Sequence, residues 1–251
     1  MGQKIKVAVL GAAGRMGQTV CAAVTDAPDM ELVAALDAGY DLAELAASGA
    51  HVAVDFSVPS VTEDNVHHLI DLGIRAVVGT TGWTDESRSR VSEHLAADGR
   101  GLSVLIAPNF GLSAVFAMTF AAKAAKYFES AEIIELHHPD KVDAPSGTAT
   151  HTAQAMAAVR REAGVAPSPD ATEHGFEARG ADIEGIRVHA VRLRGLVAHE
   201  EILLGNPGEQ LSIRQDSFAR VSFMPGVLLG IREATSHEGL TVGLENLLDL
   251  S

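Results

Sequence analysis

Apolar positions give the first reading of this 251-residue chain. Residues 4–10 alternate through Ile5, Val7 and Val9 and end on Leu10, just before Gly11. Short, nearly continuous apolar runs follow at 31–37, 51–57, 74–79 and 102–107. Between them, apolar residues return at helical spacing over 15–25, 59–72 and 85–97, the second with Pro59 in its first turn. Strands that are apolar on both faces and alternate with amphipathic helices predict a parallel sheet covered on each side. Residues 1–110 therefore read as an α/β domain, a Rossmann-type doubly wound parallel sheet.

The pattern changes after residue 110. An Ala-rich helix is expected over 112–128, striped by Val115, Met118, Ala122 and Ala125. A second is expected over 147–163, packed through Ala149, Ala153, Met156 and Ala157. Strands are expected at 131–137, 186–193, 199–205 and 210–214, the last two forming a hairpin across Asn206, Pro207 and Gly208. Residues 111–220 thus read as a second, α+β domain on a mixed four-stranded sheet. Residues 225–235 look helical, and the segment 221–251 is expected to return to the first domain.

Composition narrows the partners. A formal charge of −14 and a pI near 5.1 argue against nucleic acid and against an anionic membrane. An anionic ligand then needs a local basic pocket. Cys21 is the one cysteine, so neither an intramolecular disulfide nor a cysteine metal cluster is expected, and its Ala-rich surroundings read as packing. Apart from His137 and His138 the histidines are scattered, and no metal site is expected. Met1 leads straight into a strand pattern, and no apolar run reaches the roughly 18 residues of a membrane span. A cytoplasmic protein without a membrane partner is expected.

Two segments carry chemistry. Gly11, Ala12, Ala13, Gly14, Arg15 and Met16, closed by Gly17, follow a strand and open a helix. Such a turn lets backbone approach a pyrophosphate at a helix N-terminus. Asp37 ends the next strand, where a carboxylate meets ribose hydroxyls. The spacing differs from the commoner dinucleotide fingerprint, and a turn with only a packing role is the alternative. Gly79, Thr80 and Thr81, and then Ala107, Pro108, Asn109 and Phe110, end further strands on the edge where such sheets bind ligands. Asp37 would repel a 2′-phosphate and favours NADH, whereas Arg15 could neutralise one, so NADH or NADPH is expected, with NADH favoured or both used.

Within twelve positions the second segment places His137, His138, Lys141, Ser146, Gly147 and Thr148. An imidazole can exchange a proton near neutrality, and an ammonium can pair with a carboxylate. The first N–H groups of a helix suit an anion. Together these groups suit a small substrate carrying carboxylates that is protonated as it reacts. The plain alternative is a strand end with solvated histidines before a capped helix. Asp143 either orients Lys141 or caps the turn, and Arg192 and Arg194, alternating on a strand, read as interfacial or structural.

These two segments, together with Glu135 and Leu136, the run Lys141 to Ala149, Val78 to Gly82, Ala107 to Phe110 and Arg179 to Asp182, resemble the 4-hydroxy-tetrahydrodipicolinate (dihydrodipicolinate) reductases of lysine and diaminopimelate biosynthesis. The resemblance runs through essentially the whole chain. It implies NAD(P)H-dependent reduction of a cyclic dicarboxylate imine, His137 as the acid/base group and Lys141 as the proton donor. It assigns His138, Gly147 and Thr148 to the substrate carboxylates and the four strand-end loops to the cofactor. It also implies a homotetramer assembled through the sheet of the second domain. Ala38 stands where some members carry a basic residue that meets the 2′-phosphate, which weakens the case for strong NADPH preference; Ala13 stands where some carry lysine. Another two-domain Rossmann oxidoreductase, or a dinucleotide-sensing regulator, is the alternative. A regulator has no need of His137, Lys141 and Gly147 together.

Overall fold

The computed structural model describes residues 3–174 and 178–248. They fall into two units, one within Met1–Gly111 and Phe223–Ser251, the other Leu112–Ser222.

The first unit begins β1 (Ile5–Leu10), α1 (Arg15–Asp26), β2 (Met30–Leu36), α2 (Leu42–Ala47), β3 (Val52–Asp55), α3 (Thr62–Leu72), β4 (Arg75–Val78), α4 (Asp85–Asp98) and β5 (Ser103–Ile106). Val7, Val9, Val54 and Val77 on one face, and Ala8, Leu10, Ala53 and Val78 on the other, are all buried. Double-sided burial explains why these strands read as unbroken apolar runs. Helix α3 starts at Thr62, which corrects the expected start at Pro59. Pro59 lies in the preceding turn, where the Thr62 N–H donates to the Val58 carbonyl, and the acids Glu63 and Asp64 suit a helix beginning after it. The six-residue α2, capped by Asp41, was too short to register in the pattern.

The second unit contains α5 (Leu112–Ala125), β6 (Ser130–His137), α6 (Gly147–Glu162), β7 (Ala181–Ile183), β8 (Ile186–Arg192), β9 (Ala198–Asn206) and β10 (Glu209–Ser217). Its sheet is mixed, as expected, but has five strands in the order β10-β9-β6-β8-β7, not four. The extra strand, β7, is three residues long and folds onto β8 across Glu184 and Gly185, both at positive φ. Three residues are too few for a period-two signal. β6 and β8 run parallel, and the expected hairpin joins β9 to β10. Small residues of α5 (Ala117, Ala121) and α6 (Ala149, Ala153) let both helices lie close over Ile133 and Ile202. Arg160 of α6 is buried and donates to the Ala125, Phe128 and Glu129 carbonyls, closing the end of α5.

The chain then re-enters the first unit through α7 (Met224–Ala234) and β11 (Gly239–Val242). β11 adds to β5, giving a six-stranded sheet ordered β11-β5-β4-β3-β1-β2 in which every pair is parallel. The Ser103 hydroxyl ties this return to α7 by donating to the Ala234 carbonyl at 2.6 Å.

Candidate active site

In the first unit, direction of travel along the sheet reverses between β1 and β3, and a ligand crevice forms at the carboxyl ends of strands beside such a reversal. The glycine turn follows β1 there. Gly11 adopts φ +76°, and a Cβ on it would stand 2.6 Å from the Phe56 carbonyl oxygen. A Cβ on Gly17 would stand 2.0 Å from the Gly11 oxygen, so close packing demands glycine at both places. Gly14 caps α1 without a side chain, and no acid stands in the first turn. That arrangement suits the pyrophosphate of a dinucleotide.

Asp37 folds back to the same turn. Its carboxylate accepts from the Ala13 N–H at 3.2 Å and the Ala38 N–H at 2.8 Å. Gly79, Thr80 and Thr81 follow β4, and Ala107 to Phe110 follow β5, on the same edge. Gly17→Ala is expected to cost about 1–3 kcal/mol by overpacking. Urea unfolding and NADH fluorescence titration should both register the change.

One carboxylate braces this edge, and the sequence reading missed it. Asp55 is 0% exposed, yet no cation pairs with it among the described residues. It accepts from the Ser57 N–H at 2.7 Å, the Thr62 and Thr80 hydroxyls at 3.2 Å and the Asn65 amide at 3.0 Å. Thus the ends of β3 and β4 are locked together, with Thr80 fixed by its hydroxyl. An acid closing an otherwise apolar strand was the available signal. Cys21 on α1 is half-buried, its thiol pushed up by burial, in keeping with a packing role.

In the second unit, β6 delivers His137 at its end, and the loop to α6 carries His138 and Lys141. Period two puts Glu135 and His137 on one face. Glu135 is 0% exposed and accepts four hydrogen bonds. These come from His137 Nδ1 at 2.6 Å, both Arg192 terminal nitrogens at 2.7 Å and the Ser146 N–H at 3.0 Å. Burial works to raise the Glu135 acid, but the hydrogen bonds from Arg192 and His137 outweigh it and hold it below the usual range. An ionised carboxylate only accepts, so His137 Nδ1 carries the proton. Burial, more than the nearby Lys141 and Arg192 charges, pushes the imidazole pKa down against the pull of Glu135. His137 is then neutral at pH 7, its Nε2 an acceptor.

Ser146 builds the start of α6. Its hydroxyl accepts from the Ala149 N–H at 3.1 Å while its own N–H is held by Glu135. Gly147 is exposed and Thr148 half-buried in the first turn. Lys141 Nζ donates to Asp143 at 2.7 Å, and that ammonium, with the Gly147 N–H contributing less, holds the Asp143 acid below its ordinary value. Arg192 also donates to the Asp143 carbonyl at 2.8 Å, fixing the loop from behind. His138 is exposed, and its carbonyl accepts from the Lys141 N–H at 3.3 Å. Of the two arginines read as interfacial or structural, Arg192 belongs to this cluster.

Known proteins share both halves of this chain. Residues 5–110 match the family model for the N-terminus of dihydrodipicolinate reductase, and residues 113–248 match that for its C-terminus. A 4-hydroxy-tetrahydrodipicolinate reductase of Beutenbergia cavernae is 64% identical over 247 residues, 98% of this chain and 99% of the relative. One from Streptomyces coelicolor is 57% identical, covering 99% of each chain. Among solved structures, a dipicolinate-bound dihydrodipicolinate reductase from Paenisporosarcina sp. TG-14 superposes with a TM-score of 0.89 at 36% identity, over 98% of this chain and 100% of that one. A probable dehydrogenase from Thermotoga maritima shares the fold alone, at 11% identity and a TM-score of 0.61 over 96% of this chain and 92% of that one. No helix among the described residues is long and apolar enough to cross a membrane. With both halves matched and relatives above half identity along its length, the chain belongs to the dihydrodipicolinate reductase family, the nicotinamide-dependent reductases of 4-hydroxy-tetrahydrodipicolinate.

Proposed function

We propose that reduction takes place on a substrate whose carboxylates are held by Lys141, His138 and the tip of α6 at Ser146, Gly147 and Thr148. The observation that carries this reading is Asp143. Lys141 and the Gly147 N–H both act on its carboxylate, so an ammonium and a helix N-terminus already converge on one carboxylate-sized place. A substrate carboxylate would exchange with Asp143 there. The dicarboxylate bound to the Paenisporosarcina relative is of the same class.

The reaction takes in one hydride and one proton and releases one water as the 4-hydroxyl departs. A nicotinamide supplies the hydride. Lys141, an ammonium with protons to give, serves as the proton source. His137, neutral with Nε2 as acceptor, orients the ring and takes up a proton when one must leave. Glu135 and Arg192 hold that tautomer. Adding 4-hydroxy-tetrahydrodipicolinate to enzyme and reduced nucleotide should bleach the nicotinamide absorbance; no change with either nucleotide would contradict the activity.

The cofactor-binding groups are Gly11 to Met16, Asp37, Gly79 to Thr81 and Ala107 to Phe110. Asp37 stands against the glycine turn and Ala38 offers no charge, which supports NADH as the better cofactor, with NADPH used less well. Ala38→Arg is expected to improve kcat/KM for NADPH roughly tenfold or more relative to NADH, the worth of one hydrogen bond to a charged group. Initial rates with each nucleotide measure it.

A cytoplasmic homotetramer completes the reading. Helices α5 and α6 cover one face of the second sheet, while half-buried Ile134, Leu136 and Leu203 lie on the other. Light scattering should return four times the 26.2 kDa chain mass.

A further inference from the structure

One buried ionisable group has no task in this chemistry. Glu200 of β9 is 2% exposed and lies directly opposite Glu135 in the antiparallel β6–β9 register. Opposed side chains on one sheet face stand about 4.5–5.5 Å apart at Cβ. The two acids therefore share the face beneath α5 and α6, where the apolar layer of Ile133 and Ile202 gives way to a polar end.

Their surroundings differ. Glu135 accepts four hydrogen bonds, two of them from a guanidinium. Neither Glu200 oxygen has a well-formed hydrogen bond among the described residues, although the Thr152 hydroxyl lies close enough to act on the carboxyl. Helix α6 presents Thr152, whose hydroxyl donates to the Thr148 carbonyl at 3.0 Å. Strand β10 presents Gln215, opposite Glu200 in register, and α5 presents Ser113 to that glutamine at 3.5 Å. None of these ionises. From β6 come His137, neutral and turned to Glu135, and the charge of Glu135 itself. Two carboxylates cannot both stay ionised so far from water. Arg192 fixes the charge on Glu135, and the proton stays on Glu200, whose pKa burial pushes up to about 7, with the Glu135 charge adding to the shift and Thr152 opposing it.

We propose that Glu200 is a positioning residue for the reduction: as a neutral carboxylic acid it fills the place opposite Glu135 without adding charge, so that Arg192 and the His137 Nδ1–H stay on Glu135 alone. Ionised, it would compete for both donors and disturb the imidazole that meets the substrate. The proposal rests on His137 and Lys141 forming the active site.

Two variants test it, each measured for kcat/KM and for thermal unfolding between about pH 5.5 and 9. In the wild type, kcat/KM is expected to fall about tenfold as pH rises past 7, the equivalent of one pKa unit of interaction. Glu200→Gln is uncharged at every pH and should lack this step. Glu200→Ala empties the place and should lower kcat/KM throughout. Folding reports the same proton. Between the ordinary carboxylate range and pH 7 the native protein keeps a proton that the unfolded chain has lost, so native stability falls as pH rises through that window. The Tm advantage of Glu200→Gln over wild type should therefore grow up to about pH 7 and then level off. An unchanged activity step in Glu200→Gln overturns the positioning role, and a Tm difference that ignores pH overturns the protonated acid. The Tm result does not depend on activity, so failure of the underlying site assignment would show separately, as full turnover in His137→Ala and Lys141→Ala.

Discussion

Lys141→Ala is expected to lower kcat by about 10²–10⁴-fold, with His137→Ala in the same range, while the dissociation constant for NADH barely moves. The range is what a positioned proton donor or acceptor contributes to a transition state. For Lys141 the loss has two parts. In the proposed reading the ammonium supplies the proton and also balances the charge of a substrate carboxylate held against the Gly147 N–H, so KM for the substrate should rise as well. His137 contributes differently. Its Nδ1–H is committed to Glu135, and its lowered pKa keeps Nε2 free of a proton at pH 7. Truncation removes that acceptor and leaves the residues of the first unit unchanged, so nucleotide binding should persist. Stopped-flow single turnovers with NADH separate chemistry from release; unaltered turnover in both variants contradicts the assignment.

Glu135→Ala is expected to destabilise the protein by about 3–5 kcal/mol, because deleting one partner of a buried ion pair strands the other. Arg192 would lose both of its bonds to the carboxylate, His137 its tautomer-fixing acceptor and Ser146 the acceptor for its N–H. Urea unfolding measures the change. Arg192→Ala combined with Glu135→Ala should cost clearly less than the two single losses summed, since either one already breaks the pair. Folding lowers the proton affinity of Glu135, so its contribution is complete above the usual carboxylate range and lost as pH falls below it. Activity should drop with stability, as an imidazole without its acceptor is free to change tautomer.

The first sheet was legible because four of its strands, β1, β3, β4 and β5, are buried on both faces and separated by helices with their own period. β11 escaped, since Gly239 to Val242 are half-buried on an edge and offer neither alternation nor an apolar run. β7 escaped for its length, and the helix after β3 was begun too early because Pro59 favours both a first turn and the turn before it. The glycine turn and the His137 to Thr148 segment were visible since local spacing carries them. Glu135 was quoted but not weighed, although an acid two residues before His137, in a strand whose inward positions are Ala131 and Ile133, is the trace of a buried carboxylate. Its partner Arg192 lies 57 residues on. Only the strand order, with β8 beside β6 while β9 lies on the other side, brings the pair together. Glu200 is hidden for the same reason: register, not spacing, sets it opposite Glu135.

A crystal structure with NADH and pyridine-2,6-dicarboxylate, an unreactive planar mimic of the substrate, tests the central claim most directly. One carboxylate should displace Asp143 from Lys141 and accept from the N–H groups of Gly147 and Thr148, with His137 Nε2 facing the ring. A dicarboxylate bound elsewhere, with the Lys141–Asp143 pair undisturbed, would contradict it.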